Sequence, residues 1–481
     1  MNLPTTIESC HSLINQLFTI VAHQAKQIEV LTSKVSELEA RLNQNSKNSS
    51  QPPSQDKRKQ KPSIPKEPKN QGGQRGHKGK TLEQIPNPDK IVKLSTDVCD
   101  CGLILDISLG KVAQTYQEFD IPEPKLYVTE YQRLSQTCSC GRHHLAALPE
   151  HIHATVQYGA GVRGLTVLLN NACQLSCEKV STLFEDLYGY NLNESTVLSY
   201  NGLAYDQLAD TENGIKEQVL VSEVVHFDES GVKVTNCLYW LHTACTTLFT
   251  HLFISPHRGE KAHQEDVSIL KKFKNWAIHD CYSTYFKYSN CRHALCNPHL
   301  LRELQAQTEQ GKLWATQMQD FLLDLYKKSD KGTKSVDNIA EKKEKWLILC
   351  HEAIQVEEHL LAQCSPPIIE TQEEVPKKRG RKKRGKALGL LDRLLKHSDA
   401  VLAFAEFEVV PFSNNQAERD VRPVKTKQKI AGCFRTETGA HRYARIQGFI
   451  STCRKHKINV FNELRAVCSS SNYYYADWSA K

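Results

Sequence analysis

The chain has 481 residues, enough for several domains and a sizeable core. Its formal net charge of +8 is concentrated in two blocks: residues 51–80 hold nine Lys/Arg against two acids, and residues 376–386 hold eight Lys/Arg and no acid. Such blocks are solvated linkers when free and point to a polyanion partner, most simply nucleic acid, while no apolar run approaches the roughly 18–20 residues of a membrane span. The 17 cysteines are odd in number and scattered. With no charged-then-apolar leader, they indicate a reduced, cytosolic setting in which paired cysteines are metal ligands before they are disulfides.

Residues 10–43 carry a heptad, with Ile14, Val21, Ile28, Val35 and Leu42 at a and Leu17, Gln24, Leu31 and Leu38 at d. Mostly β-branched a residues over leucine at d predict a parallel two-stranded coiled coil, so residues 1–45 read as a homodimerising helix. The competing reading is an amphipathic helix packed on its own body. Residues 46–85 read as a flexible basic linker ending in Gly72-Gly73-Gln74-Arg75-Gly76-His77-Lys78-Gly79-Lys80, where Lys78 and Lys80 would track a phosphate backbone. Residues 86–150 contain Cys99-Asp100-Cys101-Gly102 and Cys138-Ser139-Cys140-Gly141. Two glycine-closed knuckles predict a structural zinc-ribbon-like module held by Cys99, Cys101, Cys138 and Cys140, although C-x-C is tighter than the common C-x-x-C. Within residues 151–215, helix, Gly189 and helix restart at Asn193 form a helix-turn-helix pattern that could present its second helix to DNA.

From Glu223 the period changes to that of strands. Glu223–Val234, Cys237–Cys245 and Leu248–Ser255 predict three strands, Gly259–Phe273 a helix, and Trp276–Asp280 a fourth strand. That order matches the start of a ribonuclease-H-like core. It would make neighbours of Asp228 and Asp280, whose repulsion divalent cations would relieve. Hard oxygen ligands select two Mg2+ or Mn2+ ions over zinc. Glu229 alternates to the other face of its strand and is the weaker ligand candidate. Glu418, in Asn414-Asn415-Gln416-Ala417-Glu418-Arg419, is the third carboxylate, 138 residues beyond Asp280. A helical insertion over residues 305–405, with Arg379 and Arg381 in its basic block, accounts for the gap between core segments 216–304 and 406–481. Arg419, Arg422, Lys425, Arg435 and Arg442 add positive charge for DNA, with Pro423 a possible kink before Lys425. His293, Cys296 and His299, with Cys291, could hold a second zinc. Steps of three drift around a helix that Pro298 interrupts, so packing or DNA contact is the favoured reading there.

These residues resemble the transposases of the insertion sequence 66 family over nearly the whole length. The resemblance runs from Gly72–His77 through the knuckles, His226–Gly231, Arg258–Glu260, His293–Arg302 and Arg379–Lys383 to Asn414–Lys425 and Gly432–Ile446. Arg75 stands where proline is usual. The resemblance implies a DDE recombinase with Asp228, Asp280 and Glu418 as its acidic triad. It further implies terminal-repeat and target DNA as partners, possible element-encoded accessory proteins, and a bacterial, nucleoid-associated setting. The expected fold is a multidomain α+β/α/β chain: coiled coil, zinc module, helical region, and a ribonuclease-H-like core interrupted by helices. A joining-incompetent nuclease of the same fold and a non-catalytic DNA-binding regulator are the alternatives.

Overall fold

A computed structural model describes residues 7–45, 48–49, 82–106, 108, 110–330, 332–363, 385–469 and 473. The Gly72–Lys80 stretch, most of the 46–85 linker and the basic block at 376–384 lie outside the described residues, and with them Lys78, Lys80, Arg379 and Arg381. The heptad segment is one helix, α1 (Ile7–Leu42), with its a and d residues exposed. Residues 82–158 come next, with two short antiparallel strands, β1 (Ser135–Thr137) and β2 (His143–Leu145).

The remainder is layered around a five-stranded mixed sheet. Four helices lead into it: α2 (Ala160–Val167), α3 (Cys177–Tyr188), α4 (Glu194–Gln207) and α5 (Ala209–Val221). The sheet is built from β3 (Val224–Val234), β4 (Cys237–Cys245), β5 (Thr250–Ser255), β6 (Trp276–His279) and β7 (Arg292–Leu295), in the order β5-β4-β3-β6-β7. The first three form an antiparallel meander, and β6 and β7 run parallel to β3. The β3–β4 turn is the two-residue Thr235-Asn236, both at positive φ (49° and 65°), the geometry that matches strand twist. A β-branched residue is costly there. Thr235 is held by its N–H donating to the Phe434 carbonyl at 2.8 Å.

The predicted helix over 259–273 is reduced to α6 (Glu260–Gln264). Tertiary partners capture the chain immediately after it: Ser255 donates to the Glu265 carboxylate at 2.6 Å, and the His251 ring pairs with the Val267 carbonyl at 2.9 Å. After β7 come α7 (Asn297–Thr308), α8 (Leu313–Lys328), α9 (Ile339–Gln363), α10 (Lys386–Lys396) and α11 (Ser398–Glu406), then α12 (Asn415–Ala431), α13 (Glu437–Lys455) and α14 (Val460–Val467). No described helix is long and apolar enough to cross a membrane.

Strand alternation sorts the side chains to two faces. Val225, Phe227 and Ala277 join α5 and the 269–291 segment in one core. On the other face, Trp276, Ile278 and Ala294 are covered by α7–α11, and Val232, Leu252 and Ile254 by α12 and α13. A further core joins α2 and α4 to α13 and α14, so the helices before the sheet and after it share their apolar contacts.

Candidate active site

Parallel pairing of β3 with β6 sets the first two acids. His226 lies opposite Ile278. Two residues on from each come Asp228 and Asp280, both with the parity of the face that α12 covers. Glu418 lies in the first turn of α12. Asn414, just before that helix and 2 % exposed, fixes where it begins. Its amide donates to the Phe227 carbonyl at 2.8 Å, its Oδ1 meets His226 Nδ1 at 2.9 Å, and its backbone N–H donates to Cys296 Sγ at 3.2 Å. One residue thus ties the start of α12 to β3 and to the β7–α7 junction. Pro423 sits inside α12 without ending it. Lys425 Nζ reaches back to donate to the Gly231 carbonyl at 2.7 Å, a second tie to β3.

The electrostatics come from this crowding. Burial pushes the Asp228 carboxyl well above its ordinary range, and the charges of Glu229, Asp280 and Glu418 push it further. Burial also raises Asp280, against an N–H from Tyr282 to its Oδ1 at 2.9 Å and the nearby Arg258 charge. Desolvation lowers Lys425, and the Asp228 charge opposes that shift. A self-repelling set of hard oxygen donors suits divalent cations. The three carboxylates are not gathered within 4.8 Å of one another.

Glu229 faces the other way, as alternation predicts. Burial raises it; its Oε1 accepts from Arg258 Nε at 2.9 Å and its Oε2 from the Tyr285 hydroxyl. Arg258 itself is sandwiched between Trp240 and Tyr282, 4.8 and 4.3 Å from their ring centroids. Sequence reasoning missed Arg258, Tyr285 and Asn414 as individual residues. Arg258 and Asn414 were visible only as members of motif blocks, and Tyr285 carried no signal.

Among the predicted DNA contacts, Arg419, Arg422 and Lys425 are exposed, and with Lys429 they form a stripe on α12 opposite its buried Ala417, Val421 and Val424. Arg435 is exposed beyond the end of that helix. Arg442 instead lies against α4, its guanidinium donating to the Leu198 carbonyl at 3.5 Å. The helix-turn-helix geometry is present, with Gly189 at φ 70° and Asn193 capping α4 through Ser195 N–H. Yet α4 carries Glu194 and Asp206 and no Lys or Arg. A helix without cations has nothing to neutralise phosphate.

Both cysteine knuckles form. Gly102 and Gly141 adopt φ 88° and 82°, and their N–H groups donate to the carbonyls of Cys99 and Cys138 at 2.7 and 2.8 Å. The four sulfurs are not drawn into one cluster. Among the described residues, the group of three or more ligand atoms within 4.8 Å of one another is Cys296, His299 and Glu418. The sequence placed Cys296 and His299 with Cys291 and His293, on a drifting helix. In the structure His293 is on β7, Cys296 precedes α7 and His299 is in its first turn, and the third member comes from α12.

Comparison with known proteins adds two matches. The model of the Transposase IS66 family matches residues 155–442, which span α2 to α13 and every residue of the acidic trio. A family of unknown function matches residues 2–83. No curated protein matches the chain.

Proposed function

The chain belongs to the IS66 family of transposases, and from that premise we propose that it binds the terminal inverted repeats of its own insertion element, cuts there, and joins the freed ends to target DNA. The observation that carries this reading is that the charges of Asp280, just beyond β6, and Glu418, on the distant α12, both act on Asp228 in β3. An antiparallel meander continued by two parallel strands supports a ribonuclease-H-like core made of residues 216–304 and 406–481, with 305–405 as its helical insertion.

Asp228, Asp280 and Glu418 would hold Mg2+ or Mn2+, which supplies an activated water or 3′-hydroxyl and stabilisation of the leaving oxygen. The chain's own residues position the rest. The α12 stripe of Arg419, Arg422, Lys425 and Lys429 lies on the helix that carries Glu418 and receives the phosphate backbone, with Arg435 extending it. Arg258 and Tyr285 hold Glu229 on the far face of β3, so the strand that bears Asp228 is braced from behind. No protein nucleophile is required, since in-line attack on phosphorus is a matter of positioning and charge.

Residues 10–43 would pair two protomers so that both element ends are cut together. The linker with Lys78 and Lys80, and the block with Arg379 and Arg381, would add phosphate contacts. Cys99, Cys101, Cys138 and Cys140 would close on a structural Zn2+ once the knuckles approach each other. Helix α4, which carries acids and no cation, would support α13 more than it reads DNA. Cytoplasmic, nucleoid-associated action with element-encoded accessory proteins completes the reading.

The test is purified protein with labelled terminal-repeat DNA, a target plasmid and Mg2+. Joined products are expected, and Asp228→Asn should reduce them by at least the roughly 100–1,000-fold that losing one transition-state electrostatic contact costs. Nicking without joining would assign a nuclease instead, and binding without either a regulator.

A further inference from the structure

We infer that Cys296, His299 and Glu418 form a binding site for a soft divalent cation of the Zn2+ class, distinct in donor chemistry from the hard-oxygen trio and joined to it through Glu418. The joint role of Glu418 rests on the catalytic reading above; the site itself does not.

The chain builds this site from two segments. β7 ends at Leu295, Cys296 precedes α7, and proline in the first turn of α7 fixes the start of that helix. A spacing of three then puts Cys296 and His299 on one side of the first turn. Glu418 arrives from α12, whose start is fixed on Cys296 by the Asn414 N–H···Sγ bond at 3.2 Å. The three ligand atoms lie within 4.8 Å of one another, and His299 Nε2 is 3.5 Å from Glu418 Oε1. Tetrahedral zinc with bonds of about 2.0–2.3 Å would set ligand edges of about 3.3–3.8 Å, so side-chain rotation of about 1 Å closes the site.

Two further observations point to a ligand. His299 Nδ1 is buried without a hydrogen-bond partner. The neighbouring donors are engaged elsewhere: the His293 ring bridges His279 Nε2 at 2.9 Å and the Tyr288 carbonyl at 3.0 Å, and Cys291 Sγ meets the Tyr288 carbonyl at 3.3 Å. Thiolate, imidazole and carboxylate make a zinc donor set, with three protein ligands and one open position; Mg2+ selects against sulfur. Arg302 lies near His299 and opposes added positive charge. Against it stand the Glu418 carboxylate and the Cys296 sulfur, whose thiol burial pushes up to about 12, so that its negative charge comes only as a bound cation displaces the proton. Glu418 then serves either the soft ion or the hard ones, and a bound soft ion draws it off the trio.

The experiment uses Co2+ as an optical probe on full-length protein in which Cys99, Cys101, Cys138 and Cys140 are serine. A sulfur-to-cobalt charge-transfer band is expected, saturating at one equivalent and removed by Zn2+. Cys296→Ser in that background abolishes the band. His299→Asn and Glu418→Gln each weaken Co2+ binding by at least about 10-fold. Absence of the band in the four-serine protein with native circular dichroism, or a band that survives Cys296→Ser, overturns the site. Should Cys296→Ser not fold, the partly exposed His299→Asn decides, and an unchanged Co2+ affinity overturns the proposal. No arm uses DNA, so failed strand transfer would leave this result intact and failed Co2+ binding would leave the catalytic reading intact.

Discussion

Residues 7–158 and residues 160–469 are stabilised by different means. In the first region apolar side chains face water: Leu94 is 92 % exposed, Tyr127 91 % and Val156 91 %, and the a and d residues of α1 are exposed along its length. In the second, β5 is buried at every residue, three apolar cores tie strands to helices, and a fourth joins the helices before the sheet to those at the C-terminal end. The large region carries its own core. The described residues of the N-terminal region leave their apolar surface open.

Three perturbations test this contrast, in falling order of effect. Ile28→Asp with Leu31→Asp puts charge at adjacent a and d positions of α1. Self-association should be lost, seen as a halving of mass in sedimentation, with the melting of the body unchanged. A lowered melting temperature would mean that α1 packs on the body and is no independent module. Asn414→Ala should act the opposite way, leaving the mass alone. It strips His226, the Phe227 carbonyl and α12 of a shared buried partner, so chemical denaturation should register a loss of about 1–3 kcal/mol. Strand transfer should fall more than DNA binding does, because Glu418 loses its placement. The smallest effect comes from pH. Burial holds His242 and His263 near 4, against an ordinary 6.5, so both are neutral in the folded chain. As pH falls from about 6.5 toward 4, the unfolded chain takes up protons that the folded chain refuses, and stability drops. The urea midpoint of the body should therefore decline through that window, with a shallower decline in His263→Gln. The α1 seam has no titrating a or d residue and should hold its association over the upper part of the same range.

Much of the sheet was legible from alternation alone. The runs Glu223–Val234 and Cys237–Cys245 differ from β3 and β4 by one residue at most. Helices α8 and α9 fall within the stretch over residues 305–405 that was expected to be helical. β7 was not, because four residues that include an arginine and a histidine give no period to read. The helix expected over 259–273 stops early because its carboxyl and carbonyl groups are taken by β5, a competition no local pattern reveals. Asp228 and Asp280 could be put forward together because each closes an apolar run in the strand order expected from the sequence. The grouping of Cys296 with Glu418 could not be foreseen. It depends on Asn414 bonding three separate elements, and sequence spacing carries no trace of that.

The chain leaves the sheet for α7 and returns to it before α12 at nearly one point. Asn297 N–H donates to the Phe412 carbonyl at 3.1 Å, and the next tie, Asn414 to Cys296, is its neighbour. Everything from α7 to α11 is therefore a loop whose two ends meet at a two-bond clasp while its apolar face lies on β6 and β7. The entropy of closing such a loop grows only with the logarithm of its length. Helices can be added to or trimmed from its outer end without changing where Glu418 stands, provided the apolar cover over β6 and β7 is kept. The clasp makes the size of the insertion and the position of the third carboxylate separately variable, so relatives could differ in the former while keeping the latter.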